Sequence, residues 1–128
     1  MMTEEDDPSS FMFTIGNTER NIPELIVFGT HEQVLCNRAS DMMEKIMRED
    51  GTVFKGGDTL SIGSRHPLQI VDVTYHPDVE NYTPELLSYY KKHTYKLFQL
   101  LVPDHHGRYP GDPECERPYS LVPSFRAH

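Results

Sequence analysis

Phe11, Phe13 and Ile15 alternate with Met12 and Thr14, and Gly16-Asn17 breaks the pattern. This period of two predicts a strand. Leu25–Phe28 is a second apolar run closed by Gly29. The short Thr18–Pro23 between the two fits a hairpin-like pair. The period then lengthens. Leu35, Ala39, Met42 and Ile46 recur at helical spacing, with Val34 and Met43 widening the stripe, which predicts an amphipathic helix from His31 to about Asp50. Thr30 with Gln33 would form a capping box at its start, and Gly51 suits the residue just past its end. The methionines of the stripe read as core filler rather than as ligands.

Short strands are expected at Thr52–Phe54 and Thr59–Ile62, on either side of the turn Lys55-Gly56-Gly57-Asp58. A longer strand is expected at Leu68–Thr74, ended by His76-Pro77. Thr83-Pro84-Glu85 combines an N-cap, a proline at the first helical position and an acid facing the helix dipole. The helix it starts would carry Leu86, Leu87 and Tyr90 and end near His93. Leu97–Val102 is a continuous apolar run and reads as a central strand covered on both faces. From Pro103 to Pro123 recurrent prolines prevent long regular structure. Tyr109, Tyr119 and Phe125 favour packing of that tail onto the body.

This order predicts an α+β fold with a mixed, mostly antiparallel sheet, two helices and a proline-rich C-terminal tail. At 128 residues a single core is expected. The domain would span 11–128, after a leader at 1–10 whose acids Glu4–Asp7 repel one another and predict disorder. A hydrophobic share of 37% with ten prolines points to a loop-rich domain.

Twenty acidic against twelve basic residues leave a net charge of −8. That balance argues against direct nucleic-acid binding, which gains affinity from counterion release, and against anionic membranes. A local basic pocket for a small anion stays compatible with it. Cys36 and Cys115 form no metal-binding pair; the first is expected as a buried hydrophobe and the second as a free thiol in a polar tail. No apolar stretch approaches transmembrane length and the acidic start is unlike a signal peptide, so a cytoplasmic location is expected.

Two stretches could carry chemistry. One gathers Asp104, His105, His106, Arg108 and Asp112 directly after the last strand. Imidazole beside carboxylate suits acid–base chemistry or a divalent metal. Adjacent histidines in an extended loop point to opposite sides, so no metal site is assigned. The other places Thr18, Glu19, Arg20 and Glu24 around a turn, where Arg20 could pair with an acid or hold an anion.

Phe13–Arg20 followed by Pro23–Gly29, and Gln99–Pro113 near the other end, resemble the opening and closing signatures of domain-of-unknown-function family 4262 of bacteria and their phages. The resemblance implies no reaction. It does imply that the Gly16–Glu24 and Asp104–Asp112 loops act together at one end of the sheet. This chain departs from the family pattern at Asn17, where leucine is usual, at Ile22, where histidine is usual, and at Val102 and Gly111, where tryptophans are common. If that histidine belongs to a family active site, activity in this chain is in doubt.

The reading this supports is a non-enzymatic domain that binds a small anionic ligand or a host protein through the two loops. A phage origin, implied by the resemblance alone, would fit sequestration of a host metabolite. The rival is a hydrolase in which His105 or His106 acts as general base or metal ligand, Asp104 or Asp112 orients it, and Arg20 or Arg108 stabilises an oxyanion. A flavin- or nucleotide-binding barrel is a third reading, on fold-level analogy.

Overall fold

The structure is a computed structural model and describes residues 10–29, 33–90, 94–117 and 119–125. The leader before Ser10, the Thr30 cap and His93 lie outside the described residues.

Five strands form one sheet: β1 (Phe11–Phe13), β2 (Glu24–Phe28), β3 (Thr59–Leu60), β4 (Leu68–Asp72) and β5 (Leu97–Leu101), in the order β1-β2-β5-β4-β3. Neighbours pair antiparallel except β2 and β5, which run parallel with Glu24 opposite Leu97. The expected hairpin-like pair forms, with Phe11 opposite Phe28. Every residue of β2 and of β5 is buried, as a continuous apolar run in a central position requires. The chain is a single α+β domain.

The first helix, α1 (Gln33–Asp50), packs across β1 and β2. It sinks Leu35, Cys36, Ala39 and Met43 into the core, while Met42, Ile46 and Met47 pack against its edge. Val34, expected in the stripe, is instead 63% exposed. The Gly51 N–H donates to the Met47 carbonyl and closes the helix. Burial pushes the Cys36 thiol up to about 11. Cys115 is free, as expected, and is buried.

Three expectations fail locally. Thr52–Phe54 forms no strand, since Phe54 is buried as a single anchor and Val53 points out, 71% exposed. The strand expected to reach Thr74 stops at Asp72, whose Oδ1 accepts the Thr74 N–H and turns the chain. A four-residue helix, α2 (Pro77–Glu80), stands where only a strand end was expected: the His76 side chain accepts the Asp78 N–H and Pro77 occupies the first turn. The next helix, α3 (Pro84–Tyr90), starts where expected. Thr83 caps it through its carbonyl, which accepts the Leu86 N–H, and not through its buried hydroxyl, which has no partner among the described residues.

The tail folds back over β5. Gln99 reaches out of the sheet to donate to the Pro123 carbonyl at 2.7 Å and accept the Phe125 N–H at 3.1 Å. Phe125 joins Phe28 and Tyr82 in an aromatic cluster, which Phe11 extends. Among the described residues no helix is long and apolar enough to cross a membrane.

Candidate functional site

The parallel pairing of β2 and β5 decides where the two polar loops lie. The Gly16–Glu24 loop enters β2 at the level of Leu97, the first residue of β5. The Asp104–Asp112 loop leaves β5 at its other end, after Leu101. Four strand steps at ~3.3 Å each put about 13 Å of β5 between them. The two loops therefore occupy opposite ends of the sheet, and the single composite site expected from the family resemblance does not form.

At the first end Glu24 is the organiser. It is wholly buried, yet five donors converge on its carboxylate. Oε1 accepts from the Thr14 hydroxyl at 2.7 Å and the Asn17 N–H at 3.3 Å. Oε2 accepts from the Thr18 N–H at 2.8 Å, the Thr18 hydroxyl at 2.7 Å and the Tyr90 hydroxyl at 2.7 Å. Gly16, at φ 114°, turns its N–H onto the Tyr90 oxygen, a conformation that a side chain would oppose. The chain then winds into a 3₁₀ turn, Asn17–Arg20, pinned to α1 by the Asn17 amide on the Ser40 hydroxyl. Burial pushes the Tyr90 hydroxyl up to about 12; donation by Thr18 opposes this and the Glu24 hydrogen bond and charge add to it.

Arg20 is turned away from this network. Its guanidinium pairs with Asp41 at 3.0 Å and Glu44 at 2.9 Å on α1, and the Glu44 hydrogen bond leads the causes that hold its pKa above the ordinary value. Neither Glu19 nor Glu24 is its partner, and its charge is not available to an anion. Glu24 and Thr18 are engaged in holding the loop. Beside them a cleft of about 270 Å³ opens, walled by Ile22, Met47, Val53 and Phe54 with Lys96 in its lining.

At the second end Asp104 plays the corresponding part. It is 3% exposed; Oδ1 accepts the His106 and Arg108 N–H groups and Oδ2 the Glu116 N–H, each at 2.9 Å. Burial alone would raise its pKa, but the N–H groups of Glu116, Arg108 and His106 outweigh it and hold the carboxyl below the ordinary value. Asp112 likewise accepts the Glu114 N–H at 2.9 Å. Arg108 leans toward Glu114. His106 meets Glu116 at 2.8 Å. The acids expected to orient a catalytic histidine are thus engaged with backbone, and the acid that touches His106 is one the sequence did not single out.

His105 points elsewhere. Its ring stands edge-on to Tyr119, with centroids 6.0 Å apart, and lines a cleft of about 220 Å³ with Ser64, Arg65, His66, Leu68, Pro103 and Asp104. The β3–β4 loop supplies Ser64–His66 because β4 runs antiparallel to β5 and begins where β5 ends. Arg38 on α1 donates to the Ile62 carbonyl and steadies that loop from behind. The His66 Nε2–H donates to the His105 carbonyl at 3.3 Å, and the Tyr109 hydroxyl donates to the Pro67 carbonyl at 2.8 Å, so both loops are tied together. Arg65 is exposed and its guanidinium makes no hydrogen bond or ion pair among the described residues.

Gly107 sets the His66 ring. It sits at φ 81°, and a Cβ there would lie 2.9 Å from His66 Nδ1. Gly107→Ala is expected to cost about 1–2 kcal/mol from the left-handed backbone alone. It should also displace the imidazole, which a histidine side-chain NMR shift would report. An unmoved His66 resonance in a variant of wild-type stability would contradict this contact.

Sequence reading found Asp104, His105, His106, Arg108 and Asp112 but missed Ser64, Arg65 and Tyr119, which share no motif with them and reach the cleft through strand pairing. Among the described residues no group of three or more His, Cys, Asp or Glu is placed to hold a metal ion. No curated protein and no solved structure matches the chain. A family model matches residues 1–116, and the chain belongs to that family, the domain of unknown function DUF4262.

Proposed function

We propose that this domain is a non-enzymatic binder of a small anionic ligand, held in the cleft between the β3–β4 loop and the loop after β5. One observation carries the reading. Arg65, exposed and without a hydrogen bond or ion pair among the described residues, lines the cleft together with His66 and His105. The one carboxylate in the same lining, Asp104, has both oxygens turned onto backbone N–H groups. In a chain of net charge −8 an exposed guanidinium without a protein partner is a place where an anion can pair.

The cytoplasm is the compartment we assign, in keeping with two free, buried thiols. If the chain is phage-borne, as the family resemblance implies, the ligand would be a host metabolite. Isothermal titration with inorganic phosphate at low salt tests the site. Binding with a Kd of millimolar or tighter is expected, weakened about tenfold by Arg65→Ala, a loss of about 1.4 kcal/mol. His106→Ala, outside the cleft, should bind as wild type does. An Arg65→Ala protein with unchanged affinity would overturn the assignment. A stoichiometric metal in the purified protein by native mass spectrometry would turn it toward a hydrolase.

A further inference from the structure

Resting on that reading, we infer that the ligand carries its charge on a single flat ring, as a monocyclic aromatic or heteroaromatic phosphate or carboxylate. The lining that holds Arg65 also holds Leu68, Pro103 and the ring of Tyr119. Most of the surface that the cleft exposes is apolar, and a bare oxyanion would leave it uncovered, forfeiting the dispersion that a filled cleft provides. An apolar body attached to the anion covers it.

The shape of that body follows from the rings already present. His105 and Tyr119 meet at 78°, an edge-to-face pair to which a third ring can add in the offset or edge-on geometry that aromatic quadrupoles favour. A guanidinium such as that of Arg65 also prefers an aromatic face to an aliphatic one. Tyr119 is 3% exposed and fixed in a 3₁₀ turn, with the Val122 N–H on its carbonyl and the Ser120 N–H on the Glu116 carbonyl. The exposed His105 ring therefore rests on a fixed partner before any ligand arrives, and little ordering is needed on binding.

Size sets the upper limit. The cleft holds about 220 Å³. Pockets for drug-sized ligands run from roughly 300 to 1,000 Å³. A dinucleotide or flavin would lie largely outside it, whereas one ring with one anionic group fits within.

The test is a ligand series on the wild-type protein by isothermal titration: inorganic phosphate, methyl phosphate, cyclohexyl phosphate and phenyl phosphate. Phenyl phosphate is expected to bind at least tenfold tighter than methyl phosphate and several-fold tighter than cyclohexyl phosphate. His105→Ala, at an exposed position, should lower phenyl phosphate affinity several-fold more than it lowers methyl phosphate affinity. Arg65→Ala should weaken every member. Equal affinities for methyl and phenyl phosphate would overturn the ring while leaving the anion site standing. Equal affinities for cyclohexyl and phenyl phosphate would overturn its planarity. Binding of none of the four would overturn both the ring and the anion reading on which it rests.

Discussion

Glu24→Gln is expected to lower stability by about 3 kcal/mol, although it changes neither the size nor the shape of the side chain. For a domain of this length that corresponds to a Tm lower by roughly 10 °C. The reason is the count of donors. Two meet Oε1 and three meet Oε2, and a carboxylate can only accept. An amide must place its NH₂ on one side or the other, where it opposes a backbone N–H, that of Asn17 or of Thr18, and forces the hydroxyls on that side to turn and accept. Each buried donor left without an acceptor costs about 1–3 kcal/mol. Glu19→Gln, an exposed acid on the same turn, should stay within about 0.5 kcal/mol of wild type. Urea unfolding of the two variants separates these cases, and a Glu24→Gln protein as stable as Glu19→Gln would show that the carboxylate does not hold the loop. The raised pKa of Tyr90 sets a second limit. Its contribution is complete below the ordinary tyrosine value and is lost as pH rises through about 12.

Asp104→Asn should cost about 2 kcal/mol at neutral pH, because one acceptor oxygen becomes a donor facing a backbone N–H. The loss should be local before it is global. Hydrogen exchange should quicken first at His106, Arg108 and Glu116, the three amides that Asp104 receives. The sign of the acid dependence is fixed by the depressed pKa. Asp104 contributes fully above the ordinary aspartate value of 3.8, and its contribution falls away as pH drops through its lower folded value. Wild type should lose stability over that acid range, and Asp104→Asn should lack this part of the loss. Identical acid limbs in the two proteins would remove Asp104 from its structural role.

Much of the fold was legible because it rests on local pattern. The stripe of α1, the apolar run of β5 and the Thr83-Pro84-Glu85 start each state their own element within a dozen residues or fewer of context. Val53 and Phe54 misled because a two-residue alternation cannot separate a strand from one buried anchor beside one exposed side chain. The site was harder for a different reason. Arg20 and Glu24 sit four residues apart and invite pairing, yet one is drawn out to acids on α1 and the other in to hydroxyls. No local rule orders those preferences, since Arg20 finds its acids 21 and 24 residues away and the Tyr90 hydroxyl reaches Glu24 from 66. Arg65 reaches His105 only because β4 is antiparallel to β5. Nothing in the local sequence around Tyr90 points to its hydroxyl's partner, Glu24.

The strand that holds the sheet together is also the last of the five to be synthesised. β2 and β4 do not touch until β5 lies between them, and the pairing of Glu24 with Leu97 spans more than half the chain. A nascent chain that ends before Leu97 thus has two hairpin-like fragments and a Met-rich helix with no common core. Contacts this distant in sequence slow folding, and unpaired apolar edges invite association while they wait. Emergence of β5, rather than emergence of the first strands, should be the event that commits this domain to its native form. Chains truncated at residue 96 should accumulate as aggregates, where chains that retain the tail do not.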